Sequence, residues 1–319
     1  MLTQLTRLIC LFLLALASNL ALAENTGRVV LESGTGRYVL SAQMEILEDP
    51  EGDFRINQLL AGTHQDQWYR TQEAVPNMGY NKSVFWFRTT VRNLHPSRSE
   101  WLLSIDYPMH DYLDVYLIQN SKIEKSYHVG DKLPHSHRPI DHRNFLFPLS
   151  IPLTEDVEIY IRLETAGSIK LPVLLWEEAE FIKNDQLYIM GQGIYVGTMV
   201  VMFFYNLFLF FMVRNRAYLF YIAYLFFQTG AFSISKGLVF QYIWPSWTTW
   251  NQLSVNFFLG GTVTFALLFS VYFLDSRRYT PRYYYCDAER HCLWHLAVMA
   301  GSFMLPYDMS WYAWAFTDC

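Results

Sequence analysis

Cysteine is nearly missing from this sequence. Only Cys10, Cys286, Cys292 and Cys319 occur in 319 residues, and none lies between Glu24 and Trp176. A domain in that stretch is therefore held by its core and not by disulfides, which about 160 residues can supply. Charge is scarce as well, at 17% of residues against about a quarter in an ordinary soluble domain. The deficit is local. From Leu187 to Leu274 there is no acidic residue, and Arg214, Arg216 and Lys236 are the only cations. From Glu24 to Gln186 charge returns to the globular norm, with 24 acidic and 16 basic residues. The sequence thus joins a soluble domain to a membrane domain, which excludes a purely cytosolic enzyme. The acidic balance of the soluble part excludes a nucleic-acid binder that works by bulk charge. Nucleophile elbows, Cys/His pairs and phosphate-cradling glycine loops are also missing, so neither an enzyme nor a cofactor is expected.

The chain opens with one early cation, Arg7, an apolar run from Leu8 to Ala17, and Ala21-Leu22-Ala23 in a small-x-small cleavage pattern. This reads as a secretory signal peptide over residues 1–23, because the run is too short to span a bilayer. Residues 24–183 follow as the exported domain. Period-two alternation marks strands at Phe85 to Val91, Trp101 to Tyr107, Leu113 to Leu117, Phe145 to Ile151, Val157 to Leu163 and Ile169 to Leu175. Turn signals separate them, so the expected class is an all-β antiparallel sandwich followed by an α-helical membrane domain. The Asp49-Pro50-Glu51-Gly52-Asp53 stretch reads as a loop.

Binding is a better expectation for this domain than catalysis. Aromatic residues are numerous, and rings on an exposed face stack on sugars. Trp101 and Tyr107 alternate in phase with Leu103 and Ile105 and belong to the core. Trp86 shares the opposite face of its strand with Arg88 and Thr90 and is the expected exposed ring. With Tyr112, Arg138, His142 and Arg143, Trp86 and Arg88 form the candidate ligand-binding set. His135, His137, Asp141 and His142 match no compact metal pattern and sit beside Arg138 and Arg143, so they read as a solvated loop. Glu177 and Glu178 read as a solvated connector.

The membrane domain, residues 187–319, contains spans at about 187–213, 217–235 and 253–274, a weaker one at 291–307, and the start of another at 311–319. Arginines follow the first and third spans while only Lys236 lies at the second connector, so the N-terminal side of the first span is outside. Gly193 and Gly197 form a small-xxx-small pair for a neighbouring helix, and Asn206 and Gln228 are expected as interhelical hydrogen-bond glue. Lys236 reads as snorkelling to the outer headgroups. The spans lack acidic partners for it, which disfavours a transporter. Cys286, His291, Cys292 and His295 match no compact ligand motif.

Several segments carry a resemblance. Tyr205-Asn206-Leu207-Phe208-Leu209, Arg214-Asn215-Arg216-Ala217-Tyr218-Leu219, Gly237 to Pro245 and Phe273 to Pro281 resemble the membrane module of bacterial seven-transmembrane receptors with diverse intracellular signalling modules. Val84-Phe85-Trp86-Phe87-Arg88, Arg138 to Phe145 and Gly167 to Pro172 are similar to the type 2 extracellular sensor of those receptors. The resemblance covers roughly residues 35 to 285, with a poor match after Tyr285. It implies a periplasmic jelly-roll, of the carbohydrate-binding-module kind, that binds carbohydrate-like or cell-wall ligands. It also implies a multi-pass protein of the bacterial inner membrane, coupled to a histidine kinase or diguanylate cyclase. Only part of the seven-helix module and no output domain are present, so the membrane domain is expected to be incomplete and the chain a fragment. The alternatives are a periplasmic module that forms a homodimer or pairs with a partner receptor, and third a transporter.

Overall fold

The computed structural model describes residues 28–70 and 73–274. The signal peptide, the spans at 291–307 and 311–319, and the Cys286 to His295 group lie outside the described residues. In chain order the strands are β1 (Arg28–Leu31), β2 (Arg37–Val39), β3 (Glu45–Asp49), β4 (Tyr69–Arg70), β5 (Asn77–Tyr80), β6 (Val84–Asn93), β7 (Glu100–Ile105), β8 (Tyr112–Gln119), β9 (Lys122–Val129), β10 (Phe145–Ser150), β11 (Asp156–Glu164), β12 (Ser168–Lys170) and β13 (Val173–Trp176). The helices are α1 (Ile56–Leu60), α2 (Glu178–Val213), α3 (Arg216–Ser235), α4 (Leu238–Tyr242) and α5 (Thr248–Phe273).

The strands form a sandwich. One sheet runs β4-β3-β6-β11-β8-β9, the facing sheet runs β10-β7-β13-β2, and β12 pairs with β5 beside them. The pairing is antiparallel except where β1 lies parallel to β6. β3 covers Val84 to Arg88 and β1 covers Thr90 to Asn93, so two short strands share one edge of β6. Phe85, Phe87, Val91, Trp101, Leu103, Ile105, Phe145 and Phe147 fill the space between the sheets. Side chains on a strand alternate between faces, and these are the inward positions. The segment read as one strand from Ile169 to Leu175 is two, β12 and β13, separated by Leu171 and Pro172. A proline removes a ladder donor and ends the pairing. β9 ends its sheet and exposes Lys122, Glu124 and Lys125, the charge pattern that deters an edge from pairing with another chain.

The helices α2, α3 and α5 are long and apolar enough to cross a membrane. α3 and α5 pack at close range through two glycines. A Cβ on Gly230 would lie 2.2 Å from the Phe258 ring, and one on Gly261 would lie 2.1 Å from the Phe227 ring. Each helix thus receives the other's phenylalanine. On α2, a Cβ at Gly193 or Gly197 meets nothing within 4 Å among the described residues. The Asn206 amide donates within its own helix to the Met202 carbonyl at 2.8 Å. Gln228 is half-buried on α3.

α2 begins at Glu178, immediately after the cap residue Glu177 and one residue beyond the end of β13. The connector expected there is helix. Arg98 holds Glu177 at 2.5 Å, and this pairing keeps the Glu177 carboxyl below its usual range. Phe181 packs against Trp176 on the outer face of the smaller sheet with Leu102, Leu146 and Leu174. The first turns of α2 are therefore clamped to the sandwich before the helix reaches membrane depth.

Candidate functional site

The outward face of β6 is covered, which corrects the reading of Trp86 as an exposed ring. Buried Asp49 accepts from the amides of Asp53 at 3.1 Å and Phe54 at 2.9 Å, closing the loop that carries α1 over the sheet. Leu59, Trp68, Tyr116 and Tyr160 then enclose Trp86, which is 1% exposed. Its ring stacks on Tyr116 with centroids 6.1 Å apart. The alternation placed Trp86 on the correct face, but a second layer turns that face into a small core.

Further along β6, Arg88 opens onto a polar cleft of about 240 Å³, lined with it by Glu45, Gln65, Arg70, Glu158 and Tyr160. Arg88 donates from Nε to Glu45 at 2.8 Å and from Nη1 to Gln65 at 2.9 Å, and its guanidinium lies 4.2 Å over the Trp68 ring. Arg70 reaches the other Glu45 oxygen at 3.1 Å. Burial alone would raise the Glu45 carboxyl, but the two arginines outweigh it and hold it below the usual carboxylate range. The cleft therefore holds fixed donors and acceptors side by side. Its volume is below the range of about 300–1,000 Å³ typical of sites for drug-sized ligands.

The other expected ligand residues do not line this cleft. The loop from Asp131 to Asn144 is only partly solvated: His137 and Asp141 are exposed, as expected, whereas Asp131, His135, Arg138, His142 and Arg143 are buried. The His135 amide donates to the Pro245 carbonyl at 2.8 Å, and its ring meets Phe240 edge-on at 5.6 Å. Gln241 donates to Asp141 at 3.0 Å. Arg138 lies 4.2 Å over Phe145 and 5.7 Å from Phe240, and Nη1 donates to the carbonyls of His142 at 3.0 Å and Arg143 at 2.7 Å. Burial lowers its pKa to about 10, which leaves it charged at neutral pH.

On the α2 side, Arg143 pairs with Asp185, and His142 Nε2 lies 3.1 Å from the same carboxylate. The Arg143 guanidinium also covers the Tyr188 ring at 4.7 Å. Gly237, between α3 and α4, has φ +74, and a Cβ there would lie 2.8 Å from the Arg143 carbonyl. Only glycine suits that backbone and that approach. Asp131 is buried facing Gln252 of α5. Desolvation, then the charge of Asp111, raise its pKa to about 8.

Arg138, His142 and Arg143 thus form a junction between sandwich and helices and do not share a cleft with Arg88. Tyr112, half-exposed at the start of β8, meets the junction loop through Lys132, which lies 5.6 Å over its ring. Asp131 and Asp185 were not singled out from sequence, and Gly237 and Gln241 entered only within the segment that carries the resemblance. Asp185 carried a detectable signal, a carboxylate just before a span, whereas Asp131 carried none.

Two family models match the chain. Residues 41–177 match 7TMR-DISM extracellular 2, and residues 188–317 match 7TM diverse intracellular signalling. The second match continues well past Tyr285, further than the resemblance read from the residues. Neither family is catalytic. No curated protein matches the chain.

Proposed function

Because the chain belongs to the seven-transmembrane receptors with diverse intracellular signalling modules, as a signalling membrane protein with an extracellular N-terminal sandwich, we propose that it senses a carbohydrate-like ligand in the Arg88 cleft. Occupancy is passed to the membrane helices through the Asp131 to Asn144 junction, and an intracellular module supplies the output. The sandwich faces the periplasm, and the helices lie in a bacterial inner membrane. The observation that carries this reading is the direct passage of β13 into α2, clamped by Phe181 and by Arg143 with Asp185. A shift of the smaller sheet has no flexible linker in which to be absorbed. Occupancy acts only through its differential affinity for two arrangements of the junction.

The test is titration of the full chain in lipid nanodiscs with glycans and peptidoglycan fragments, following calorimetry and amide exchange in residues 130–145. Saturable binding that changes junction exchange, and is weakened about tenfold or more by Arg88→Ala, supports the reading. A folded receptor that binds none of these, or binds without any change at the junction, refutes it.

A second reading rests on the open face at Gly193 and Gly197, which leaves room for a helix of another copy or of a partner receptor. Gly193→Leu with Gly197→Leu should then reduce self-association of the full chain in sedimentation. A monomer before and after the change removes this reading.

A further inference from the structure

A cavity of about 550 Å³ lies at the junction, separate from the Arg88 cleft. Its roof is the sandwich turn from Asp106 to Met109 together with Asn144, one wall is α2, and the floor combines Ser235 and Lys236 with Val255 and Leu259 of α5. Polar and apolar groups share its lining, with Lys236 on the same helical floor as the apolar Val255 and Leu259.

Its charges are unequally occupied. Asp185 is paired with Arg143 and His142, and Asp106 accepts from Ser104 and from Asn144, the latter at 3.0 Å. Lys236, half-buried, has among the described residues no carboxylate within 4.0 Å, and its ammonium lies 5.8 Å from the Phe232 ring. The Lys236 backbone N–H closes the C-terminus of α3 on the Phe232 and Ile234 carbonyls, which engages its main chain and not its ammonium. It does not account for a roofed cavity of this size beside it, with Val255 and Leu259 placed below.

We propose that this cavity binds the phosphate of an amphiphile, with Lys236 as the phosphate contact and the Val255 and Leu259 side as the seat for the apolar part. The occupant is a phospholipid headgroup drawn from the outer leaflet, held between sensor and helices. Phosphate suits a single lysine because it is bound as a point charge and needs no fork. Such a lipid forms part of the contact through which the sandwich meets the spans. The site is independent of the Arg88 cleft, so its failure leaves the sensing proposal standing, and the converse also holds.

The full chain, purified in mild detergent and stripped of lipid, is given phosphatidylglycerol or the soluble probe glycerol 3-phosphate, and bound species are counted by native mass spectrometry. Wild type should retain one phosphatidylglycerol. Lys236→Gln should reduce retention about tenfold or more. Asn184→Trp, which fills the cavity from an exposed helix position, should do the same, while Lys183→Gln at the exposed pair with Glu180 should have no effect. Glycerol 3-phosphate binding with the same Lys236 dependence supports the phosphate site and moves its source from lipid to solution. Equal lipid retention in wild type, Lys236→Gln and Asn184→Trp overturns the proposal.

Discussion

Asp185→Ala removes the carboxylate that faces both Arg143 and His142 across the junction. The Arg143 side chain is only 4% exposed, so the guanidinium is left buried and uncompensated. Breaking one half of a buried pair costs about 3–5 kcal/mol. The adjoining cavity lets the arginine turn toward water, which places the expected cost near the lower end, about 3 kcal/mol. The His135 amide is the natural reporter, because its hydrogen bond to the Pro245 carbonyl spans the two parts. Amide exchange through junction opening should accelerate about a hundredfold in residues 130–145, while the main sandwich core stays protected. The paired change Arg143→Met with Asp185→Leu should return exchange close to wild type, because an apolar replacement of both partners strands no charge. Acceleration below about threefold for Asp185→Ala, or a double variant no better than the single one, would refute the reasoning.

Three further outcomes follow from the geometry. Trp86→Ala should destabilise the sandwich by about 3–5 kcal/mol and lower its thermal midpoint by about 10 °C, since it empties a closed layer; an unchanged midpoint would contradict that layer. Gly261→Ala should cost about 1–3 kcal/mol by pressing on Phe227, measured by thermal unfolding in detergent, whereas Gly193→Ala should cost nothing because its surroundings are open. Asp131 makes docking pH-dependent: its folded pKa is raised, so its contribution is complete below the ordinary aspartate value and is lost as pH rises through about 8. His142, lowered by burial and then by Arg143, contributes in the opposite sense, above the ordinary histidine value. From pH 7 to 8.5 junction exchange, corrected for intrinsic rate, should therefore rise in wild type and stay flat in Asp131→Asn; parallel profiles would show that Asp131 is not the source of the pH dependence.

Strands with one apolar face were legible because period two reports burial on that face alone. β6, β7, β8, β10 and β11 all carry it. β1, β2 and β4 are two to four residues long and offer too few positions for a period, and β9 is charged on both faces because it lies at an edge. The spans were legible from length and apolarity. The role of the Arg138 to Arg143 segment was not, because its charges and histidines look solvated until the helices that cover them are placed. Trp86 shows the same limit. Alternation tells which side of a strand a residue takes, but not whether another segment later closes over that side.

The abrupt change from β13 to α2 also fixes an angular phase. Each residue inserted between Trp176 and Glu178 would advance the helix by about 100° and 1.5 Å. One insertion turns Tyr188 and Asp185 away from Arg143, and three or four bring that face round again. Any signal that depends on which side of α2 meets α3 should therefore return with the helical period and not fade steadily with linker length. The sandwich acts in this sense as the angular reference of the first span.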